Sequence, residues 1–204
     1  PALSDPNVIY FDNPAGTQVP QQVLNRVTDY LSKTNANKHG AFKSSRKSDA
    51  VLKDAREACK DLYNASRVDE IVFGPNMTSL TLNISRSLAR WLNPGDRIMV
   101  TRLDHDANIT PWTLIAEDRG CEVDWVDFDI EEGTLNLESL EKALQKQPKL
   151  VAVGYASNAL GTINPIKKIT EMVKDAGALM FVDAVQYAPH GVIDVQEIGC
   201  DFLV

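Results

Sequence analysis

The stretch ALMFVDAVQYAPH, residues 178–190, begins with an apolar run and places a carboxylate, Asp183, directly after it. An uninterrupted apolar run of this length is typical of a strand that is covered on both faces in a parallel sheet. Similar runs predict interior strands at IVFG (71–74), RIMVT (97–101) and LVAVGYA (150–156). Weaker candidates are CEVDWVDF (121–128) and DFLV (201–204).

Helical patterns separate these strands. Apolar residues at three- and four-residue spacing predict helices at 19–33, 48–63, 77–92, 137–145 and 166–176. Alternation of strand and helix predicts an α/β fold with a mostly parallel sheet. Residues 1–65 contain helix and loop patterns only, so we expect them to form an N-terminal helical arm and residues 66–204 to form the domain that contains the sheet.

Composition excludes several classes of function. The chain has 204 residues, of which 44% are hydrophobic and 24% charged, as expected of a soluble globular protein. A formal charge of −7 with scattered Lys and Arg argues against a nucleic-acid or membrane partner and favours a small molecule. Three widely spaced cysteines form neither a disulfide framework nor a zinc motif. With no long apolar segment and no signal-like N-terminus, the sequence predicts a cytoplasmic protein.

In such sheets, ligands bind beyond the carboxyl ends of the strands. After the 71–74 run, the chain turns through Gly74-Pro75-Asn76, and Met77 or Thr78 begins a helix whose free N–H groups suit a phosphate. Asn76 or Thr78 would equally serve as an ordinary helix cap. The turn matches neither the P-loop nor the dinucleotide-binding pattern.

Polar residues also follow the other strands. Asp104, His105 and Asp106 come after RIMVT, but adjacent residues rarely bind one metal ion and no second cluster joins them, so no metal site is predicted. Without a ligand, Asp104, His105 and Asp106 would be solvated loop residues. Asn158 follows LVAVGYA in a segment that also suits a tight turn.

Asp183 carries the clearest chemical signal. A carboxylate at the end of a buried strand costs free energy unless a cation or hydrogen-bond donors meet it. A structural partner would be an Arg or Lys from a neighbouring element. The functional alternative is a protonated ring nitrogen of a bound cofactor, an arrangement used by pyridoxal phosphate enzymes.

Six ordered segments of the chain resemble the class V aminotransferase family of fold type I pyridoxal phosphate enzymes, and most closely its cysteine-desulfurase-like branch. They are YFDNPAGTQVP (10–20), NANKHG (35–40), IVFGPNMTSLTLNI (71–84), LDHDANITPW (103–112), YASNALGTINPI (155–166) and VDAVQYAPHGVIDVQEIGCDF (182–202). The resemblance implies the three-layer α/β fold of that family's large domain, pyridoxal 5'-phosphate as cofactor, an amino acid as substrate and a homodimer.

The resemblance also implies roles for individual residues. Asp183 corresponds to the partner of the pyridinium nitrogen, Gln186 to a residue near the ring oxygen, and His105 to the catalytic imidazole that stacks on the ring. Asn158 corresponds to an amide near the ring oxygen and the substrate carboxylate. Met77 and Thr78 occupy the phosphate-binding positions, and Asn13 lies in the motif that lines the substrate pocket.

The chain departs from the family pattern at several points. Met77 replaces a common Thr, Asp106 replaces a second His, and Lys38-His39-Gly40 matches a basic loop only loosely. The Schiff-base lysine, the small C-terminal domain with its substrate-binding arginine, and the nucleophilic cysteine of desulfurases are all expected after Val204. We therefore expect residues 1–204 to be the N-terminal half of a longer enzyme and to be inactive alone.

Three hypotheses follow from the sequence. The first is a pyridoxal phosphate enzyme that removes sulfur from L-cysteine or transfers an amino group. The second is a catalytically inactive binding or assembly module of the same fold. The third is an unrelated α/β domain that binds phosphoesters.

Overall fold

A computed structural model describes Asp5, Asn7 and residues 9–204, so the start of the predicted arm lies outside the described residues. The described chain divides into two compact units. The first covers the chain up to Leu62 together with Arg67–Ile71, and the second consists of Tyr63–Ser66 and Val72–Val204. Among the described residues, no helix combines the length and apolar character needed to cross a bilayer.

The first unit contains two long helices, α1 (Gln21–Lys33) and α2 (Lys43–Leu62). Pro20 precedes α1, which fits a residue that has no N–H to donate inside a helix. Two buried serines of α2 anchor the connection between the helices: the Ser48 hydroxyl donates to the Thr34 carbonyl at 3.0 Å, and the Ser45 hydroxyl donates to the Asn37 carbonyl at 2.6 Å.

The second unit is built on a five-stranded parallel sheet with the order β2-β1-β3-β4-β5. Its strands are β1 (Arg97–Thr101), β2 (Glu122–Val126), β3 (Leu150–Gly154), β4 (Leu179–Asp183) and β5 (Phe202–Leu203). Its helices are α3 (Met77–Leu88), α4 (Thr110–Arg119), α5 (Leu137–Leu144), α6 (Ile166–Asp175) and α7 (Val195–Ile198). The predicted α/β fold with a parallel sheet is confirmed.

Alternate side chains of each strand enter two separate hydrophobic cores, which makes the unit three layers thick. Met99, Val151 and Val182 pack in a core with buried residues of α5, α6 and α7. Ile98 and Phe181 pack in the other core, with α4 and with Ile84 and Leu88 of α3. This arrangement explains why the strand sequences are apolar at consecutive positions.

One predicted strand is wrong. Residues 71–74 form no strand, and the side chains of Val72 and Phe73 are 71% and 44% exposed. An apolar run becomes a strand only where a neighbouring strand supplies hydrogen bonds and packing, and this segment pairs with neither edge of the sheet. It forms an extended connection to Asn76, at which α3 begins.

Candidate active site

The sheet topology brings the polar residues that follow β1, β3 and β4 to one edge. The chain leaves β1 and forms β2 on one side, whereas β3 pairs with the other side of β1. This reversal of strand order opens a crevice at the carboxyl ends of β1 and β3, where ligands bind in open α/β sheets. Asp183 ends β4, and its register partner across the sheet is Gly154, which ends β3.

Asp183 is a buried acid that pairs with no Lys or Arg among the described residues. Its side chain is 8% exposed, and its Oδ1 accepts a hydrogen bond from the Val185 N–H at 3.0 Å. Within the part of the chain that the structure describes, no Lys or Arg forms an ion pair with it. Burial raises the pKa of Asp183, while the Val185 N–H and a positive charge on His105 act in the opposite direction. The carboxylate is thus prepared for a cation that the described protein does not supply.

His105 lies in the turn that follows β1 and precedes α4. Its Nδ1 accepts a hydrogen bond from the Ala107 N–H at 3.1 Å, so a neutral ring carries its proton on Nε2. The ring is exposed, and its charge is close enough to Asp183 to influence that carboxylate. The structure therefore brings His105 and Asp183 together from two strands that are not adjacent in sequence.

The structure corrects the expectation that Asp104 is a solvated loop residue. The Thr101 hydroxyl donates to its Oδ2 at 2.8 Å, and its Oδ1 lies against Gly154 so closely that a methyl group at position 154 would collide with it. Burial is the main cause that raises the pKa of Asp104 to about 7, and the charge of Asp183 adds to it. The available sequence signal was the glycine at the end of a buried strand, which often marks a close approach.

The N-terminus of α3 belongs to the same region. Asn76 caps the helix, because its side chain accepts the Ser79 N–H at 2.9 Å. The N–H groups of Met77 and Thr78, at the start of the first turn, have no acceptor within the helix, and the Thr78 side chain is exposed. This helix packs against the turn 106–108, which in turn contacts β3. An anion is the natural ligand for such a helix N-terminus.

The remaining predicted site residues occupy two loops of the second unit and one turn of the first. Asn158 is half-buried in the loop after β3, which the Ser157 hydroxyl orders by accepting two backbone N–H groups. Gln186 is half-buried in the turn after β4. Asn13 lies in an exposed turn of the first unit, where its carbonyl accepts the Gly16 N–H at 3.1 Å.

Comparison with known proteins identifies the family to which the chain belongs. The sequence model of the aminotransferase class-V family matches residues 9–204. The chain belongs to the class-V aminotransferase family. The family predicted from the six motifs is confirmed.

Individual proteins align with nearly the whole chain. A cysteine desulfurase from Pectobacterium carotovorum is 35% identical over 96% of the chain and 48% of its own length. An aminotransferase-like protein from Gibberella zeae is 39% identical over 99% of the chain and 51% of its own length. The apo structure of a cysteine desulfurase from Thermococcus onnurineus superimposes with a TM-score of 0.90 at 34% identity, over 96% of this chain and 48% of that one. The chain thus spans about half the length of the relatives it matches.

Proposed function

We propose that this chain is the cofactor-binding N-terminal part of a pyridoxal 5'-phosphate enzyme that acts on an amino acid. Removal of sulfur from L-cysteine is the leading reaction, because cysteine desulfurases are among the relatives that align over nearly the whole chain. Transamination is the alternative within the family. The observation that carries the proposal is Asp183, a buried carboxylate at the ligand-binding edge of the sheet that forms no ion pair with a Lys or Arg of the described chain.

The described residues fit this cofactor. When bound, pyridoxal phosphate supplies a protonated ring that accepts the electron pair released when a bond to the substrate α-carbon breaks. Asp183 would hold the proton on the ring nitrogen, since a carboxylate beside a cation stabilises its charged form. The N–H groups of Met77 and Thr78, with the Thr78 hydroxyl, would bind the phosphate.

The other polar groups of the candidate site would orient the ring and transfer protons. His105 would stack on the ring, and its Nε2 is the nitrogen available to give or take a proton because Nδ1 already accepts the Ala107 N–H. Asn158 and Gln186 would donate hydrogen bonds to the ring oxygen, and Asn13 would contact the substrate. In the longer protein, we propose an arm over residues 1–65, a partial large domain over 66–204, and a cytoplasmic homodimer.

Binding of the cofactor tests this proposal. We expect the 204-residue chain to bind pyridoxal phosphate saturably and without a covalent bond, as measured by quenching of tryptophan fluorescence. The full-length protein is expected to form an adduct that borohydride reduces and to convert L-cysteine to alanine, with the removed sulfur released as sulfide when a thiol reductant is added. Cofactor binding by the full-length protein without that adduct would favour the binding or assembly module, and no binding by either protein would favour the phosphoester domain.

The helix cap provides a second test, of the phosphate site alone. Asn76→Ala removes the acceptor of the Ser79 N–H and should cost about 1 kcal/mol of stability, because a lost N-cap leaves a backbone donor unpaired. It should also weaken binding of pyridoxal phosphate, roughly threefold or more, by loosening the first turn of α3. Urea denaturation and fluorescence titration measure the two effects.

Asn136→Ala is the matched control for this variant. Asn136 caps α5 in the same way, with the Ser139 N–H donating to its side chain at 2.9 Å, but α5 covers the opposite face of the sheet. It should lower stability by a similar amount and leave cofactor binding unchanged. Equal loss of binding in both variants would contradict a phosphate site at α3.

A further inference from the structure

We infer that Asp104 is a positioning residue of the candidate site: it fixes the turn that carries His105 against the end of β3 and adds a second negative charge beside Asp183. This inference rests on the proposed function, because it assigns a role toward the cationic ring that Asp183 would bind.

The geometry ties Asp104 to three elements. Thr101, the buried last residue of β1, donates its hydroxyl to Oδ2 of Asp104 at 2.8 Å and accepts the Leu103 N–H at 3.2 Å. These bonds close the turn directly after β1. Oδ1 of Asp104 lies against the Cα of Gly154, at the end of β3, in a space that any side chain at position 154 would fill. Asp104 thereby bridges the crevice between β1 and β3.

Asn108 completes this cluster. Its side chain is fully buried, and its Oδ1 accepts the indole N–H of Trp112 at 3.3 Å. Its Nδ2 has no hydrogen-bond partner among the residues that the structure describes, although the amide is near enough to favour the ionised form of Asp104. An amide N–H that is held beside a carboxyl group favours the ionised carboxylate. Asn108 would therefore support an ionised Asp104 when a ligand is bound.

The charges around Asp104 explain its effect on Asp183. Gly154 and Asp183 are register partners, so the two carboxyl groups flank the end of one strand. The titratable groups that act on this pair are the two acids themselves and His105; no Lys or Arg in the described chain forms an ion pair with either acid. Two nearby carboxyl groups titrate as a coupled pair, and a cation that binds one of them favours ionisation of both.

The first test uses no ligand. An acid whose pKa is raised in the folded protein binds its proton more tightly when folded, so the stability that it contributes falls as pH rises from its ordinary 3.8 to about 7. We expect a fall in the urea midpoint of the wild-type chain over this range. Asp104→Asn should remove much of the fall, and Asp183→Asn should shift the remaining fall to lower pH.

Asp106→Asn is the matched control for this test. Asp106 belongs to the same turn, but it is exposed and accepts the Thr110 hydroxyl at 2.7 Å. It should retain the wild-type pH profile. A purely structural role of Asp104 predicts an equal loss of stability at every pH, so a profile of Asp104→Asn that runs parallel to that of the wild type would overturn the inference.

The second test compares two probes in the same chain: pyridoxal phosphate and an analogue in which carbon replaces the ring nitrogen. Above pH 7, Asp104→Asn should weaken binding of pyridoxal phosphate roughly fivefold more than binding of the analogue, because only the first carries a ring charge. Gly154→Ala keeps both acids but displaces Asp104, and should act in the same way. Equal weakening of both probes would contradict the inference.

The outcomes separate this inference from the proposed function. If Asp183→Asn weakens binding of both probes equally, the cofactor assignment itself is wrong. If Asp183→Asn weakens binding of pyridoxal phosphate more than binding of the analogue, and Asp104→Asn weakens both equally, the cofactor assignment holds and only the role of Asp104 is lost.

Discussion

Replacing Asp183 with Asn is expected to lower the cofactor-dependent activity of the full-length protein roughly 150- to 5,000-fold, since breaking a buried ion pair costs about 3–5 kcal/mol. Asn has nearly the shape of Asp but no charge, so the ring nitrogen would lose its counter-ion without a change in packing. The Val185 N–H would still find an acceptor in the amide oxygen. Formation of alanine from L-cysteine in the presence of a thiol reductant and the dissociation constant of pyridoxal phosphate measure the effect.

Stability should change in the opposite direction. Burial raises the pKa of Asp183, so the folded protein pays for ionising it at neutral pH. Asp183→Asn is therefore expected to leave the free energy of unfolding equal or higher above pH 7, while activity falls. This pattern of a stabilised but inactive protein is typical of a residue that is kept for function.

Asp127→Asn is the matched control for Asp183→Asn. Asp127 also follows a strand at the carboxyl edge, but it is exposed and pairs with Arg102 at 2.9 Å. A surface ion pair of this kind contributes at most about 1 kcal/mol, so cofactor binding and activity should be retained. Wild-type activity in Asp183→Asn, or equal losses in both variants, would refute the role of Asp183.

The sequence predicted the parts of the fold that depend on local pattern. The apolar runs at 97–101, 150–156 and 178–183 became β1, β3 and β4, because strands covered on both faces must be apolar at consecutive positions. The predicted helix at 77–92 begins at Met77 as expected and ends at Leu88, where a short 3-10 turn, residues 89–91, continues it. The run at 71–74 failed as a strand because pairing depends on a neighbour and not on the run itself.

In the candidate site, too, the sequence predicts only those features that depend on local pattern. The sequence indicates the burial of Asp183, because this residue ends an apolar run. It does not indicate the environment of Asp104, which is created by Thr101 and by Gly154, fifty residues further along the chain. Which strand ends meet is a property of the sheet order, and that order is set by packing across the whole unit.

Trp112→Ala is expected to destabilise the protein by about 3–5 kcal/mol, the usual cost of removing a large aromatic side chain from a core. Trp112 is fully buried in α4, and its ring meets Phe181 of β4 edge to face at a centroid distance of 4.9 Å. Its indole N–H also donates to Asn108 in the turn after His105. Urea denaturation measures the loss, which we expect to be accompanied by weaker cofactor binding.

Two further variants distinguish packing from hydrogen bonding. Trp91→Ala is the control for size, because Trp91 is 47% exposed and its loss should cost well under the value for Trp112. Trp112→Phe keeps an aromatic ring against Phe181 but leaves the buried Oδ1 of Asn108 without its donor, and should cost about 1–3 kcal/mol. Similar losses in Trp91→Ala and Trp112→Ala would mean that the core between α4 and the sheet does not determine stability. A larger loss of cofactor binding in Trp112→Phe than in Trp91→Ala would show that Asn108 connects this core to the turn that carries Asp104 and His105.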